Sequence, residues 1–348
     1  MRWLTRRQFK SKDAEVREET VARLGAKAGP KEICLFAEAL IDQNMDVRRA
    51  AGRAIEMIPP SIIPQCIEAL LPMLKNTNFV LRKGSAVALT SLGWTPQTAE
   101  HRALFQIALG NFDDVEAEPD SVEPLLNALK TGALAVQVDA ARALEKLQKK
   151  IQDPRIVGAL LQALKDSEAN LRAAAASALG NSNDEKRINP LLKAFNDPSA
   201  LVRAAAAAAI GKTGRAEFLK NFSPLLKDES FEVREAAVSE LTKINSPEAL
   251  DLIMSALKDR DADVRKRAVE SLGKLRDPRS LGALISTLID PESVVRHGAA
   301  NVLQIINCEW RTSKEARDAI PRLEAGLNDP EYWVREAAAK ALNRIRNC

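Results

Sequence analysis

Few side chains in this sequence are placed to do chemistry, and the densest group of them is one acidic run. Asp113, Asp114, Glu116, Glu118 and Asp120 crowd into a short segment, and carboxylates of that kind can meet Ca²⁺ or Mg²⁺. The segment lacks the D-x-D-x-D-G loop and closing Glu of an EF-hand, so it reads as a solvated charged loop. Cys34, Cys66, Cys308 and Cys348 stand far apart with no C-x-x-C, and neither His101 nor His297 sits beside any of them. That argues against a zinc site and against a disulfide framework legible in the sequence. No G-x-x-x-x-G-K-[ST], H-E-x-x-H or G-x-S-x-G occurs, and the residues predict no catalytic set, no metal and no cofactor.

What recurs is arginine. A short phrase returns as VREETVARL at Val16, VRRAAGRAI at Val47, LRKGSAVAL at Leu81, VQVDAARAL at Val136, LRAAAASAL at Leu171 and VRAAAAAAI at Val202. It continues as VREAAVSEL at Val233, VRKRAVESL at Val264, VRHGAANVL at Val295 and VREAAAKAL at Val334. From Leu171 to Val295 every step is 31 residues, and self-similarity at such a period is the mark of a solenoid. Arg172, Arg203, Arg234, Arg265, Arg296 and Arg335 hold one position beside the buried stripe. They are either a phosphate-binding row or a structural ladder whose planar forks pair with turn aspartates, and the edge of a helix interface favours the ladder. The fourth repeat departs from the pattern with Gln137.

The elements that must hold these residues are pairs of helices. DPRIVGALLQALKD from Asp153, SPEALDLIMSALKD from Ser246 and DPRSLGALISTLID from Asp277 each open with an N-cap and a Pro in the first turn, followed by helically spaced Leu and Ile. Asp166, Asp197, Asp228, Asp259, Asp290 and Asp329 then open the turn into the second helix. Only 4% of residues are aromatic, a composition of close-packed helices rather than sheets. One hairpin loses about 1.5 kcal/mol of conformational entropy per ordered residue and cannot hide enough surface alone, so neighbours must stack. Ala175, Ala206, Ala237, Ala268 and Ala299 let successive second helices approach closely. The expected fold is an all-α solenoid of about ten helical hairpins.

Units of the form D-x-x-x-x-V-R-x-x-A-x-x-x-L on a 31-residue step resemble HEAT repeats of the short, phycocyanobilin-lyase-like type, over nearly the whole chain. The resemblance implies a HEAT solenoid whose second helices line the concave face. It implies scaffolding, or lyase-like or chaperone-like handling of a chromophore-bearing protein. Deoxyhypusine hydroxylase resembles this fold but holds iron with paired His-Glu steps; His101 precedes Arg102 and His297 precedes Gly298, which sets that activity aside.

On a helical wheel, offsets zero, four and eight from the repeated Val or Leu point inward, and offsets two and six point away. Those outward offsets carry Arg49, Arg53, Lys83 and Arg142, and small or apolar residues at Val87, Val138, Ala173, Ala204 and Ala208. Surface helices usually hold long polar residues there. Either the row is a groove with a basic end and an apolar floor, or tight curvature leaves no room for larger side chains. Such a groove suits a protein partner that presents a helix or extended segment with acids beside apolar anchors. Acids return at Glu235, Glu270 and Glu336, which makes the row a poor track for nucleic acid.

The 55-residue step between Leu81 and Val136 interrupts the expected single array. Three first repeats occupy 1–94, a helical insertion 95–119, regular repeats 120–305, and an extended linker with a C-terminal capping repeat 306–348. In the insertion, Thr95 with Pro96 is expected to cap a helix whose apolar face is Ala103, Leu104, Ile107 and Ala108. Trp94, Phe105 and Phe112 are expected to pack it onto the solenoid, as a structural element or the edge of a docking surface. Trp310 and Trp333 are expected to cap the last repeat, and Trp3, Leu4 and Phe9 with Arg2, Arg6, Arg7 and Lys10 the first. A formal charge of +4 from 51 basic and 47 acidic residues gives no global field toward nucleic acid or membrane. No apolar stretch has signal-peptide or membrane-spanning length. The expectation is a soluble, cytoplasmic, non-catalytic protein-binding scaffold.

Overall fold

The computed structural model describes residues 7–25, 29–76, 78–111, 121–244 and 246–346, and all regular structure among them is helical. The chain is an all-α solenoid of paired helices. Where the sequence reads as one array, packing gathers it into two compact units, Met1–Asp184 and Glu185–Cys348. The first unit contains α1 (Ala14–Gly25), α2 (Ile33–Ala39), α3 (Met45–Glu56), α4 (Ile63–Leu70), α5 (Phe79–Ser91), α6 (Ala99–Leu109), α7 (Val122–Thr131), α8 (Leu134–Gln148), α9 (Pro154–Ala163) and α10 (Ala169–Leu179). The second contains α11 (Ile188–Lys193), α12 (Ala200–Gly211), α13 (Leu219–Leu225), α14 (Phe231–Leu241), α15 (Pro247–Ala256), α16 (Ala262–Leu275), α17 (Leu281–Ser286), α18 (Ser293–Ile306), α19 (Lys314–Gly326) and α20 (Tyr332–Arg346).

The Asp-Pro and Ser-Pro starts behave as their chemistry dictates. Asp153 accepts from the Arg155 N–H, Ser246 from the Ala249 N–H and Asp277 from the Arg279 N–H. Each is followed by Pro, placed where a helix has no partner for an N–H. The continuous helix expected from Asp277 is instead a 3₁₀ turn, α17 and a second 3₁₀ turn at Thr287–Ile289, because tightening the last turn satisfies carbonyls that an α-helix leaves open. Ala175 in the first unit, and Ala206, Ala237, Ala268 and Ala299 in the second, are fully buried at the second-helix interfaces. At one contact even a methyl is too large: a Cβ added to Gly84 on α5 would stand 1.8 Å from the Ala37 carbonyl oxygen on α2.

The insertion is built around α6. Its cap is Thr98, which accepts from the His101 N–H at 3.1 Å, whereas Thr95 accepts from the Gln97 side chain. Both threonines precede a plausible helix start, and Pro96 does not share in it. Gly110, at φ 80°, ends the helix. Ala103, Leu104, Ile107 and Ala108 are buried as the apolar spacing requires, and the Trp94 ring lies 5.7 Å from both Phe105 and His101. Phe112 and the acidic residues Asp113, Asp114, Glu116, Glu118 and Asp120 lie outside the described residues, as do Arg2, Trp3, Leu4, Arg6 and Cys348. Phe9 and Trp310 are buried.

Arginine rungs tie successive repeats together. Arg17 in the first unit, and Arg203, Arg234 and Arg265 in the second, each close on an aspartate 25 residues ahead: Asp42, Asp228, Asp259 and Asp290. Nε and Nη2 donate to the two carboxylate oxygens at 2.7–2.9 Å. Nη1 of the same arginine donates to carbonyls of its own turn. Each aspartate also accepts the backbone N–H two residues on, so one ion pair closes a turn and joins two hairpins. Burial alone would push the carboxyls of Asp42 and Asp228 up. Hydrogen bonds from Arg17 and Arg203, and from the Asn44 and Ser230 N–H, hold both below the usual carboxylate range.

The insertion breaks the 25-residue rule. Arg82 on α5, with no exposed surface, reaches Asp139 on α8 at 2.9 Å. Gln137, standing where α8 would carry its own arginine, donates to the Leu129 carbonyl. Desolvation dominates this pair, lowering the pKa of Arg82 and raising that of Asp139 despite their mutual attraction.

Three outcomes test this packing. Gly84→Ala is expected to destabilise the first unit by about 1–3 kcal/mol, through overpacking against a backbone atom; an unchanged thermal melt would contradict the close approach. Asp139→Ala strands a buried guanidinium and is expected to cost about 3–5 kcal/mol in chemical denaturation, with Arg82→Met alongside Asp139→Leu recovering most of it. Because the folded-state pKa values of Asp42 and Asp228 are depressed, their contribution is fully present above about pH 4 and is lost as pH falls through the lower folded values. Asp228→Asn should therefore lower stability at neutral pH and flatten the acid dependence of the melt; parallel curves for the two proteins would refute the assignment.

Candidate partner-binding face

The outward side of the second helices is a set of stripes at four-residue spacing. On α3 the predicted Arg49 and Arg53 are both exposed. Arg49 meets Asp46 at 3.3 Å, an exposed pair worth little, and Arg53 has no ion-pair partner among the described residues. On α5, Lys83 and Val87 are half-buried, and the Lys83 Nζ stands 5.8 Å from the Phe79 ring centroid. On α8, Val138 is half-buried and Arg142 is exposed, 3.7 Å from Asp139. These six residues share the first unit.

Ala173, on α10 of the same unit, was expected to face outward and is 7% exposed. α10 packs against α8, and the wheel, which carries no information on neighbouring helices, does not register that burial. Ala204 and Ala208 are half-buried on α12, in the second unit. The basic residues and these two alanines therefore belong to different units.

The wheel reading stopped one turn short at both ends. Offsets minus two and ten continue the same stripe, and on α3 they hold Met45, 52% exposed, and Met57, 64% exposed. On α5 the same step back gives Phe79, also open to solvent. The signal was present in the spacing: Met45, Arg49, Arg53 and Met57 lie four apart. Adding Ser91 on α5 and Leu134 and Lys146 on α8 completes three stripes that contain five cations, no acid and no buried residue. Exposed methionine is soft and adaptable, a property suited to surfaces that conform to a partner.

Among the arginines expected on the ladder, Arg203, Arg234 and Arg265 each close on the aspartate 25 residues ahead. Arg172 donates to the Asp166 and Ser167 carbonyls of its own turn. Arg296 and Arg335 bond turn carbonyls but reach no aspartate among the described residues. For Arg296 the cause is the longer step that follows it, which puts Pro321 where a turn aspartate would stand. Among the described residues no group of three or more His, Cys, Asp or Glu is arranged to hold a metal, and no single helix is long and apolar enough to cross a membrane.

Comparison with known proteins agrees with this architecture. A model of HEAT repeats matches residues 122–211, 157–229 and 219–304, and a HEAT-repeat model matches residues 319–345. No curated protein matches the chain. Among solved structures, an engineered protein is 21% identical over 99% of this chain and 98% of its own, with a TM-score of 0.43. The Escherichia coli protein YibA is 21% identical over 85% of this chain and 98% of its own, with a TM-score of 0.48. A chain from the structure in which Kap95p binding induces the switch loops of RanGDP to adopt the GTP-bound conformation is 15% identical, with a TM-score of 0.53; the match covers 98% of this chain and 49% of that one. With more than half of its length matched by the HEAT model, the chain belongs to the HEAT-repeat family.

Proposed function

We propose that the chain is a non-catalytic protein-binding scaffold, and that it recognises its partner through the exposed face of α3, α5 and α8. The observation that carries this reading is the charge and shape of the three stripes: five cations and no acid, with Met45, Met57 and Phe79 open beside them. A partner helix or extended segment with acidic residues flanking apolar anchors is complementary to that pattern. The likeness to the chain from the Kap95p–RanGDP structure supports the reading only as an instance of a related fold that takes part in protein binding. The finer resemblance to phycocyanobilin-lyase-like repeats rests on the repeat pattern alone, and handling of a chromophore-bearing protein draws no support from the side chains of this face.

Arg49→Glu combined with Arg53→Glu reverses the charge of a stripe that takes no part in core packing. The expected outcome is unchanged helix content by circular dichroism and at least about a tenfold loss of affinity for the physiological partner. Nuclease-treated capture from native lysate, comparing the two proteins by mass spectrometry, identifies the partner as whatever the wild type holds and the variant loses. If the captured set is the same for both, the face is not the recognition surface.

A further inference from the structure

Inside the second unit the rung arginines are spent, and the cations beside them are not. A cleft of about 450 Å³ is lined by residues of α13, α15 and the turns that follow them. Within the unit, hairpins precede and follow these two, α11 with α12 and α17 with α18. Arg234 lines the cleft and has no donor left to offer. Its Nε and Nη2 close on Asp259, and its Nη1 donates to the Asp228 and Glu229 carbonyls. Asp228, the other carboxylate of the lining, is closed on by Arg203. Both acids that face the cleft are therefore neutralised.

Three further cations line it: Lys227, Lys258 and Arg260. The two lysines hold the same place in consecutive hairpins, each between a leucine and the turn aspartate. Both are exposed, and among the described residues neither meets a carboxylate. Arg260 Nη2 donates to the Glu229 carbonyl at 2.9 Å, a neutral partner. Acids of the surrounding elements are committed elsewhere. The Glu229 carboxylate stands 3.8 Å from Arg203, Asp261 accepts the Asp263 N–H that it caps, and Asp251 lies in the field of Arg279. Ser223 and Ser255 add hydroxyls, while Leu226, Leu252 and Ala256 supply an apolar wall.

We propose that this cleft binds a phosphate monoester carried on an extended segment of a partner protein. Three uncompensated cations exceed the charge of one carboxylate and suit the charge of about −1.5 to −2 on a phosphorylated side chain. Lysine is a compact point charge rather than a planar fork, so two lysines with one arginine match three tetrahedrally disposed oxygens better than the two coplanar ones of a carboxylate. A second cleft, of about 530 Å³, shares Lys258 and Asp259 and prolongs the first toward Ser286 and Pro291. That path gives room for the residues on one side of the phosphate, which favours an extended chain over a free ion. A single cluster of three cations is too short a track for a nucleic-acid backbone.

The test is fluorescence polarisation with a short labelled peptide of Ala and Gly around a single phosphoserine, with the unphosphorylated peptide, inorganic phosphate and oligothymidylate as the other arms. The phosphopeptide is expected to bind saturably and its serine form not at all. Lys227→Ala with Lys258→Ala should weaken binding by at least about tenfold, as loss of two charge-assisted partners implies; both side chains are exposed, so the melt should stay that of the wild type. Arg260→Gln should weaken it as well. Lys266→Ala, which changes a lysine 4.0 Å from Glu270, should leave binding unchanged, and so should Arg49→Glu with Arg53→Glu, which separates this site from the face of α3, α5 and α8. Equal binding by the double lysine variant and the wild type overturns the proposal. So does inorganic phosphate bound as tightly as the phosphopeptide, which would remove the partner segment, or oligothymidylate bound more tightly through the same residues.

Discussion

Each rung is one guanidinium shared by two hairpins. The same arginine that satisfies carbonyls in its own turn neutralises the aspartate that shapes the next one, so neither turn is finished until its neighbour is in place. This explains why charged groups are tolerated so close to the core. Every donor on the inner side of Arg234 has a partner, and a buried charge is costly only when it lacks one. The apolar stripe supplies most of the stabilisation by removing surface from water, while the rungs set the register at which one hairpin meets the next.

Much of this was legible because the sequence repeats. A 31-residue step with Val, Arg and Ala at fixed offsets reveals helices, buried stripe and arginine position together, and the Asp-Pro and Ser-Pro caps mark where first helices begin. What escaped lies where the period fails. Nothing local distinguishes Thr98 from Thr95 as the cap of α6, and no spacing rule predicts that Arg82 skips the inserted helix to find Asp139. The close meeting of Gly84 with Ala37 is a property of two helices packed in space. Ala173 was misjudged for a related reason: a wheel knows which way a side chain points but not how near the next helix stands.

Residues that repeat and residues that do not have separated roles. Positions turned toward neighbouring helices hold Val, Ala and Leu in copy after copy, because each faces the same surroundings. Positions turned away change from Arg49 to Lys83 to Ala204 to Glu235, so each second helix presents its own chemistry on a common frame. Sites in such a fold are written on the frame rather than dictated by it. That is why architecture was readable from one sequence while the Met45 and Met57 ends of the α3 stripe needed a structure to be noticed.

The complete rungs also have a direction: in each of them arginine reaches forward along the chain to aspartate. A hairpin on the complete rungs therefore carries one half of a joint at each end, and the halves are alike from Arg203 to Arg265. A repeat duplicated or deleted in register would bring matching halves together at the new seam without any compensating substitution. Lineages of such chains can change length by whole repeats while keeping their joints intact, and the places that resist this growth are the irregular ones, where Arg82 depends on a single distant aspartate.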